Sequence, residues 1–164
     1  MKPSPVIGLA TPQDIAGILE VQEANQEESG GALSARFSAD WFADAIASEW
    51  IIVARDDDRI AGYVAFTPRE AQAHIPIIQA MLSSGTNQDA YLHGPICVAQ
   101  DYRRMGLANG LFAAEREHMN HAAVSTFIRE DNAASRAAHV RMGMTQAMSF
   151  EHGGVRYVVL EAAS

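Results

Sequence analysis

Two short stretches of the 164-residue chain hold residue types that can do chemistry. In the first, "VAQDYRRMGLANG", Arg103, Arg104 and Gly106 stand between an apolar segment and a helical pattern. A helix start leaves backbone N–H groups unpaired and carries the positive end of the helix dipole. Strand, glycine-bearing turn and helix in succession therefore form an anion site, suited to a diphosphate. Gly106 lets the backbone approach ligand oxygens closely, and Ala108 keeps the next inward position small. No Lys-Ser or Lys-Thr follows the glycines, and the spacing is not that of the dinucleotide fingerprint, so neither common nucleotide motif is matched. The same residues suit a solvated turn whose arginines serve solubility.

The second stretch is "DNAASRAAHVRMGM". On a helix, Asn132, Ser135 and His139 are spaced by three and four residues and share one face. Taken singly, they read as a helix cap, a small packing residue and a half-buried histidine. His118 and His121 form a His-x-x-His pair near a helix end; with no third ligand they read as surface residues, and no metal site is expected. Cys97 is the only cysteine, which excludes an internal disulfide and a zinc site of paired cysteines. It reads as a buried small residue with no base beside it in sequence, and not as a nucleophile.

Several elements must position these residues. Residues 6–10 read as a strand and Thr11-Pro12 with Asp14 as a capped helix start, with Ile15, Ile18 and Leu19 on one face. "EANQEESGGALSARF" is a polar loop, after which Ser38 caps a helix carrying Trp41, Phe42, Ala45 and Ile46. Residues 51–53 and 60–66 form a hairpin across the Asp-rich turn 56–58. Residues 75–82 fit a short helix that Pro76 disfavours, and 91–98 a strand interrupted at Gly94-Pro95, a pair that belongs at a bulge or edge. A helix from Gly106 to about Met119 shows Leu107, Leu111 and Ala114 at helical spacing. A strand over 124–128, a helix from Asn132 to near Met142 closed by Gly143, and a hairpin of 144–150 with 155–160 complete the chain. The expected fold is α/β in layers: a mixed sheet of about seven strands with about four helices, in one domain over residues 1–164.

Composition bounds the function. Twelve Lys and Arg against twenty Asp and Glu give a net charge of −8, which repels a phosphate backbone over most of the surface and argues against nucleic-acid binding. The amino-terminal apolar run is too short for a secretory signal, and no run reaches membrane-spanning length. A cytoplasmic protein without a membrane partner is the expectation. The outer face of the last hairpin serves equally as solvent surface or as a homodimer edge.

Together the two stretches resemble the GCN5-related N-acetyltransferase (GNAT) family. In that family, Arg or Gln, x, x, Gly, x, Gly or Ala after a strand holds the pyrophosphate of acetyl-coenzyme A (acetyl-CoA); "CVAQDYRRMGLA" matches it with Arg103, Gly106 and Ala108. Family members later carry Asn, x, x, Ala or Ser, then Tyr, then Gly-Phe; here Asn132, Ser135, His139, Gly143 and Met144 stand at those positions. Gln100 replaces a frequent Pro, Met144 the usual Phe, and His139 a frequent Tyr that protonates the departing thiolate. The specific resemblance spans residues 94–144, and the element order fits the rest, with a mostly antiparallel sheet and a splayed strand pair at the cofactor.

The resemblance implies direct transfer of an acetyl group from acetyl-CoA to an amine in a ternary complex. It places the cofactor against the backbone of Ile96, Cys97 and Val98, the turn Arg103, Arg104, Met105, Gly106, Leu107, Ala108 and Asn109, and the helix residues Asn132, Ser135 and His139. The Val98 N–H is the candidate oxyanion donor, and His139 the candidate aid to thiolate departure. Glu27 and Glu28, in the acidic loop, and His93, before the bulge, are the candidate bases, ahead of Asp89 and Glu130. The acidic loop suits a cationic acceptor. A small-molecule amine is the leading acceptor; the alternatives are a protein N-terminus or lysine, or a non-catalytic acyl-CoA-binding module.

Overall fold

The computed structural model describes residues 4–26 and 36–164. Seven strands and five α-helices are found among them: β1 (Val6–Leu9), α1 (Ile15–Ala24), α2 (Ala39–Ala47), β2 (Ile51–Asp56), β3 (Arg59–Thr67), α3 (Pro76–Ser83), β4 (Tyr91–Val98), α4 (Leu107–His118), β5 (Val124–Arg129), α5 (Ala133–Arg141), β6 (Thr145–His152) and β7 (Val155–Ala162). The strands follow the order β1-β2-β3-β4-β5-β7-β6, and every pairing whose register is given is antiparallel except β4 with β5. The α3 helix raises the count above the expected four. Its Pro76 occupies the first helical turn, where a missing N–H costs nothing, so the residue that disfavours a helix interior opens this one.

The chain forms two compact units, residues 1–66 with 94–118, and residues 67–93 with 119–164. In the first, register aligns Ile7, Ala54 and Gly62 across β1, β2 and β3. A Cβ on Gly62 would lie 3.4 Å from Leu111 Cδ1, and one on Gly110 2.9 Å from Ile7 Cδ1. Small residues on both partners thus let α4 lie close to the sheet. Ile18, Phe42, Tyr63 and Leu111 fill the core, with Phe42 edge-on to Tyr63 at 5.8 Å. Burying each such side chain stabilises the fold by roughly 1.5–3 kcal/mol.

Two local devices hold the first unit's helices. Thr11 and Asp14 form a capping box, and Arg55 reaches across from β2 to the Asp14 carboxylate, Nε to Oδ1 at 2.9 Å. Gln22, buried on α1, faces the Phe37 backbone: its Nε2 donates to the Phe37 carbonyl and its Oε1 accepts the Phe37 N–H, both at 2.9 Å. Arg36 donates to Glu23 at 2.7 Å beside this pair. These bonds tie α1 to the chain that enters α2.

In the second unit β5 pairs with β7 from Val124↔Ala162 to Arg129↔Tyr157, and with β4 at Tyr91↔Val124 and Leu92↔Ser125. Its core gathers Ile78, Met81, Leu92, Phe150 and Val159. Phe150 stacks on Tyr157 at 5.3 Å, a cross-strand pair set by the β6–β7 register. The β6–β7 turn uses Gly153 and Gly154, both with positive φ, as a two-residue hairpin requires.

Candidate active site

The turn before α4 is fixed at its start. The Tyr102 ring is buried, its hydroxyl donates to Asp56 Oδ2 at 2.5 Å, and Arg59 lies 5.1 Å over the ring while pairing with Asp101 at 3.0 Å. The Arg103 guanidinium donates to Asn25 Oδ1 at 3.0 Å and to the Val98 carbonyl at 3.4 Å. The backbone then turns left-handed at Arg104 (φ 65) and Gly106 (φ 73) before the first helical bond, Gly110 N–H to Gly106 O at 3.1 Å. The N–H groups of Leu107, Ala108 and Asn109 precede that bond and have no partner within the helix. A Cβ on Gly106 would meet nothing within 4 Å, so conformation and open space, not crowding, explain the glycine. Arg104, Met105, Gly106 and Asn109 are exposed, Ala108 is half-buried, and Leu107 anchors the helix in the core. N–H donors and the positive end of the α4 dipole meet at this turn with Arg104 exposed beside them, an arrangement suited to an anion.

β4 leads into this turn with Gly94 at φ 115, before a cis Gly94–Pro95 peptide. Its end lies tight against β3: a Cβ on Gly62 would sit 2.9 Å from the Cys97 carbonyl oxygen. Ala99 N–H donates to Ala61 O at 2.8 Å, so strand alternation turns the N–H groups of Ile96 and Val98 away from β3. The side chain of Ile96 is half-buried, and that of Cys97 is buried. Burial pushes the Cys97 thiol up to about 11, against the Tyr63 hydroxyl bond and the Arg103 charge that favour the thiolate. Cys97 stays protonated at neutral pH and is no nucleophile.

In the second unit Asn132 caps α5, its Oδ1 accepting from the Ser135 N–H at 3.2 Å. The cap reading of Asn132 is thus realised, and one helical turn on, His139 Nδ1 lies 2.8 Å from the Ser135 carbonyl oxygen. His139 is 5% exposed and His93 3%; their rings meet edge-on at 5.3 Å. Burial, then the charge of His93, lowers the His139 pKa to about 4, outweighing the bond to Ser135. The ring is neutral at pH 7. The Ser135 carbonyl can only accept, so Nδ1 carries the hydrogen of the neutral ring and Nε2 is a lone pair.

The other sequence candidates are spread out. Glu27 and Glu28 lie outside the described residues. Glu130 is held by Arg156 at 2.8 Å, and Asp89 is exposed, its N–H donating to Asn87 Oδ1. His118 approaches Glu49 at 3.8 Å, and His121 is exposed in a turn. Among the described residues no group of three His, Cys, Asp or Glu is placed to hold a metal ion. An open groove is walled by Arg129, Arg136 and Arg156 with Glu130 and Asp131; Arg129 pairs with Asp131 and Arg156 with Glu130, while Arg136 donates to the Glu130 carbonyl and to Gln146 Oε1. Sequence reasoning missed Asn25, Asp56, Arg59 and Tyr102, which fix the turn. The "DYRR" run held half of the signal, and the partners lie 46 and 78 residues away.

Comparison with known proteins agrees with this geometry. Residues 17–144 match the family model described as "Acetyltransferase (GNAT) family". No curated protein matches the sequence significantly. Among solved structures, a GNAT-family acetyltransferase from Streptococcus agalactiae 2603 is 17% identical, with 97% of this chain and 95% of that one covered and a TM-score of 0.74. A ribosomal-protein-alanine N-acetyltransferase from Brucella melitensis is 16% identical, covering 97% and 99%, with a TM-score of 0.70. The putative acetyltransferase yncA from Salmonella typhimurium, solved with acetyl-CoA, is 15% identical, covering 98% and 94%, also at 0.70. At these identities the structures speak for the fold. The family match, over most of the chain and across both the turn and the α5 face, decides the rest: this protein belongs to the GNAT family of acetyltransferases.

Proposed function

We propose that the chain is a cytoplasmic N-acetyltransferase, one domain over residues 1–164, that passes the acetyl group of acetyl-CoA directly to the amine of a small molecule. The observation that carries this reading is the turn 103–109. Its left-handed Arg104 and Gly106 lead into the first turn of α4, whose N–H groups have no partner within the helix, and the space beside Gly106 is open, in a chain of an acetyltransferase family. Acetyl-CoA is the co-substrate of that family. Arg104, Met105, Gly106, Leu107, Ala108 and Asn109 would hold its pyrophosphate, with Arg103 bracing the turn from behind.

The remaining roles follow from direction. The outward N–H groups of Ile96 and Val98, with Cys97 between them, would pair with the pantetheine arm, and the Val98 N–H would receive the developing oxyanion. Asn132 and Ser135 stay as candidate cofactor contacts, His93, Glu27 and Glu28 as candidate bases, and His139 as the candidate aid to thiolate departure. Holding thioester and amine together supplies much of the rate, since direct transfer needs no covalent intermediate.

Calorimetric titration of acetyl-CoA into the wild type and an Arg104→Glu, Gly106→Trp double variant tests the turn. Micromolar binding lost in the variant is expected; no binding to the wild type overturns the reading. A screen of small amines beside a short alanine-initiated peptide, read by release of free thiol, then identifies the acceptor class. Turnover confined to the peptide would replace the small-molecule acceptor by a protein N-terminus.

A further inference from the structure

The turn before α4 is exposed along its length, yet the residues at its two ends are buried. Arg103, Arg104, Met105 and Gly106 are exposed, while Tyr102 before them is 3% exposed and Leu107 after them 8%. A left-handed arginine such as Arg104 persists only where the surrounding structure enforces it, so the ends of this span must set its shape. Leu107 is held by the core. Tyr102 is held from another direction: its hydroxyl donates to Asp56 Oδ2 at 2.5 Å. Asp56 closes β2 and stands opposite Arg59 across a two-residue hairpin turn, so the acceptor sits on a well-defined element. Arg59, from the same hairpin, lies over the Tyr102 ring and pairs with Asp101. All of these residues belong to the first unit, as the turn does.

We propose, resting on the acetyl-CoA reading above, that Asp56 and Tyr102 are positioning residues for acetyl-CoA: the carboxylate, through the phenol, holds the turn in the form that offers the first N–H groups of α4 to the diphosphate. Neither acts by touching the ligand. By charge alone the carboxylate is of the wrong sign, since Asp56, with Asp57, Asp58 and Asp101 around Arg59, would weaken the binding of an anion. Its service is geometric. A hydrogen bond to a carboxylate is of the strong, charge-assisted kind, and here it joins a buried ring to a hairpin end. The bond to Asp56 raises the Tyr102 hydroxyl above its ordinary value of 10, so it stays a donor throughout the neutral range. An acidic residue thus favours an anion that it would by itself repel.

Charge and position predict opposite signs, and the test reads the sign. Acetyl-CoA is titrated calorimetrically into the wild type, Asp56→Ala, Asp56→Asn, Tyr102→Phe and the Asp56→Ala, Tyr102→Phe double variant, with each unfolding midpoint measured alongside. Asp56→Ala and Tyr102→Phe are each expected to raise Kd about tenfold, the scale of one charge-assisted hydrogen bond. The double variant should bind no more weakly than either single one, because all three lack the same bond. Asp56→Asn removes the same charge but keeps an oxygen for the hydroxyl, and is expected to restore most of the affinity. An unchanged or tighter Kd in Tyr102→Phe or Asp56→Ala overturns the proposal even where the unfolding midpoint falls, since the bond then serves the fold alone. Losses that add in the double variant overturn it as well. A wild type that binds no acetyl-CoA defeats the acetyl-CoA reading itself, an outcome distinct from these.

Discussion

At the scale of single residues, Asp14 and His139 give the protein two separate responses to acid. Burial raises the Asp14 pKa, but the Arg55 hydrogen bond and the Thr11 N–H together outweigh it and hold the carboxyl below its ordinary value of 3.8. Its contribution is therefore complete above that value and is lost as pH falls through the lower, folded one. Asp14→Asn is expected to cost about 2–3 kcal/mol at pH 7 in urea unfolding, less than for a fully enclosed pair because Arg55 is partly exposed. His139 acts at higher pH. The unfolded ring binds its proton near 6.5 and the folded ring near 4, so stability is complete above 6.5 and declines toward 4, by about 3 kcal/mol. Unfolding curves across that range should show the slope in the wild type and a flatter profile in His139→Gln.

At the scale of elements, the close approach of β3, β4 and α4 sets where the turn stands. Gly62→Ala would drive a methyl group to 2.9 Å from the Cys97 carbonyl, a backbone atom that cannot swing aside. A loss of about 1–3 kcal/mol is expected by thermal or urea unfolding, with weaker acetyl-CoA binding because the end of β4 must shift. Gly106→Ala meets no atom, so its cost is conformational, about 1 kcal/mol. These elements were largely legible in the sequence. The periodicity of Leu107 and Leu111, the glycine before them and the Gly153-Gly154 turn are local signals, and local chemistry decides them. What was not legible depends on distant partners or on hydrogen positions. Tyr102 meets Asp56 and Arg103 meets Asn25 only after folding, and the proton on His139 Nδ1 follows from a helical carbonyl that no spacing rule reveals. Pro76 misled because its effect reverses between the interior and the first turn of a helix.

For the molecule as a whole, the net charge of −8 opposes the approach of a polyanion such as acetyl-CoA. Stopped-flow association rates should consequently rise as salt increases from about 10 to 150 mM, since screening shortens the repulsion from about 30 to 8 Å. A falling rate would mean that the local cations dominate the field. No helix among the described residues is long and apolar enough to cross a membrane. The Gln22–Phe37 amide pair ties α1 to the chain that enters α2, two elements the sequence separates by a polar stretch. Gln22→Ala strips the Phe37 N–H and carbonyl of that partner and is expected to cost about 1–3 kcal/mol in urea unfolding. A single buried amide thus does for two helices what a ladder of backbone bonds does for two strands.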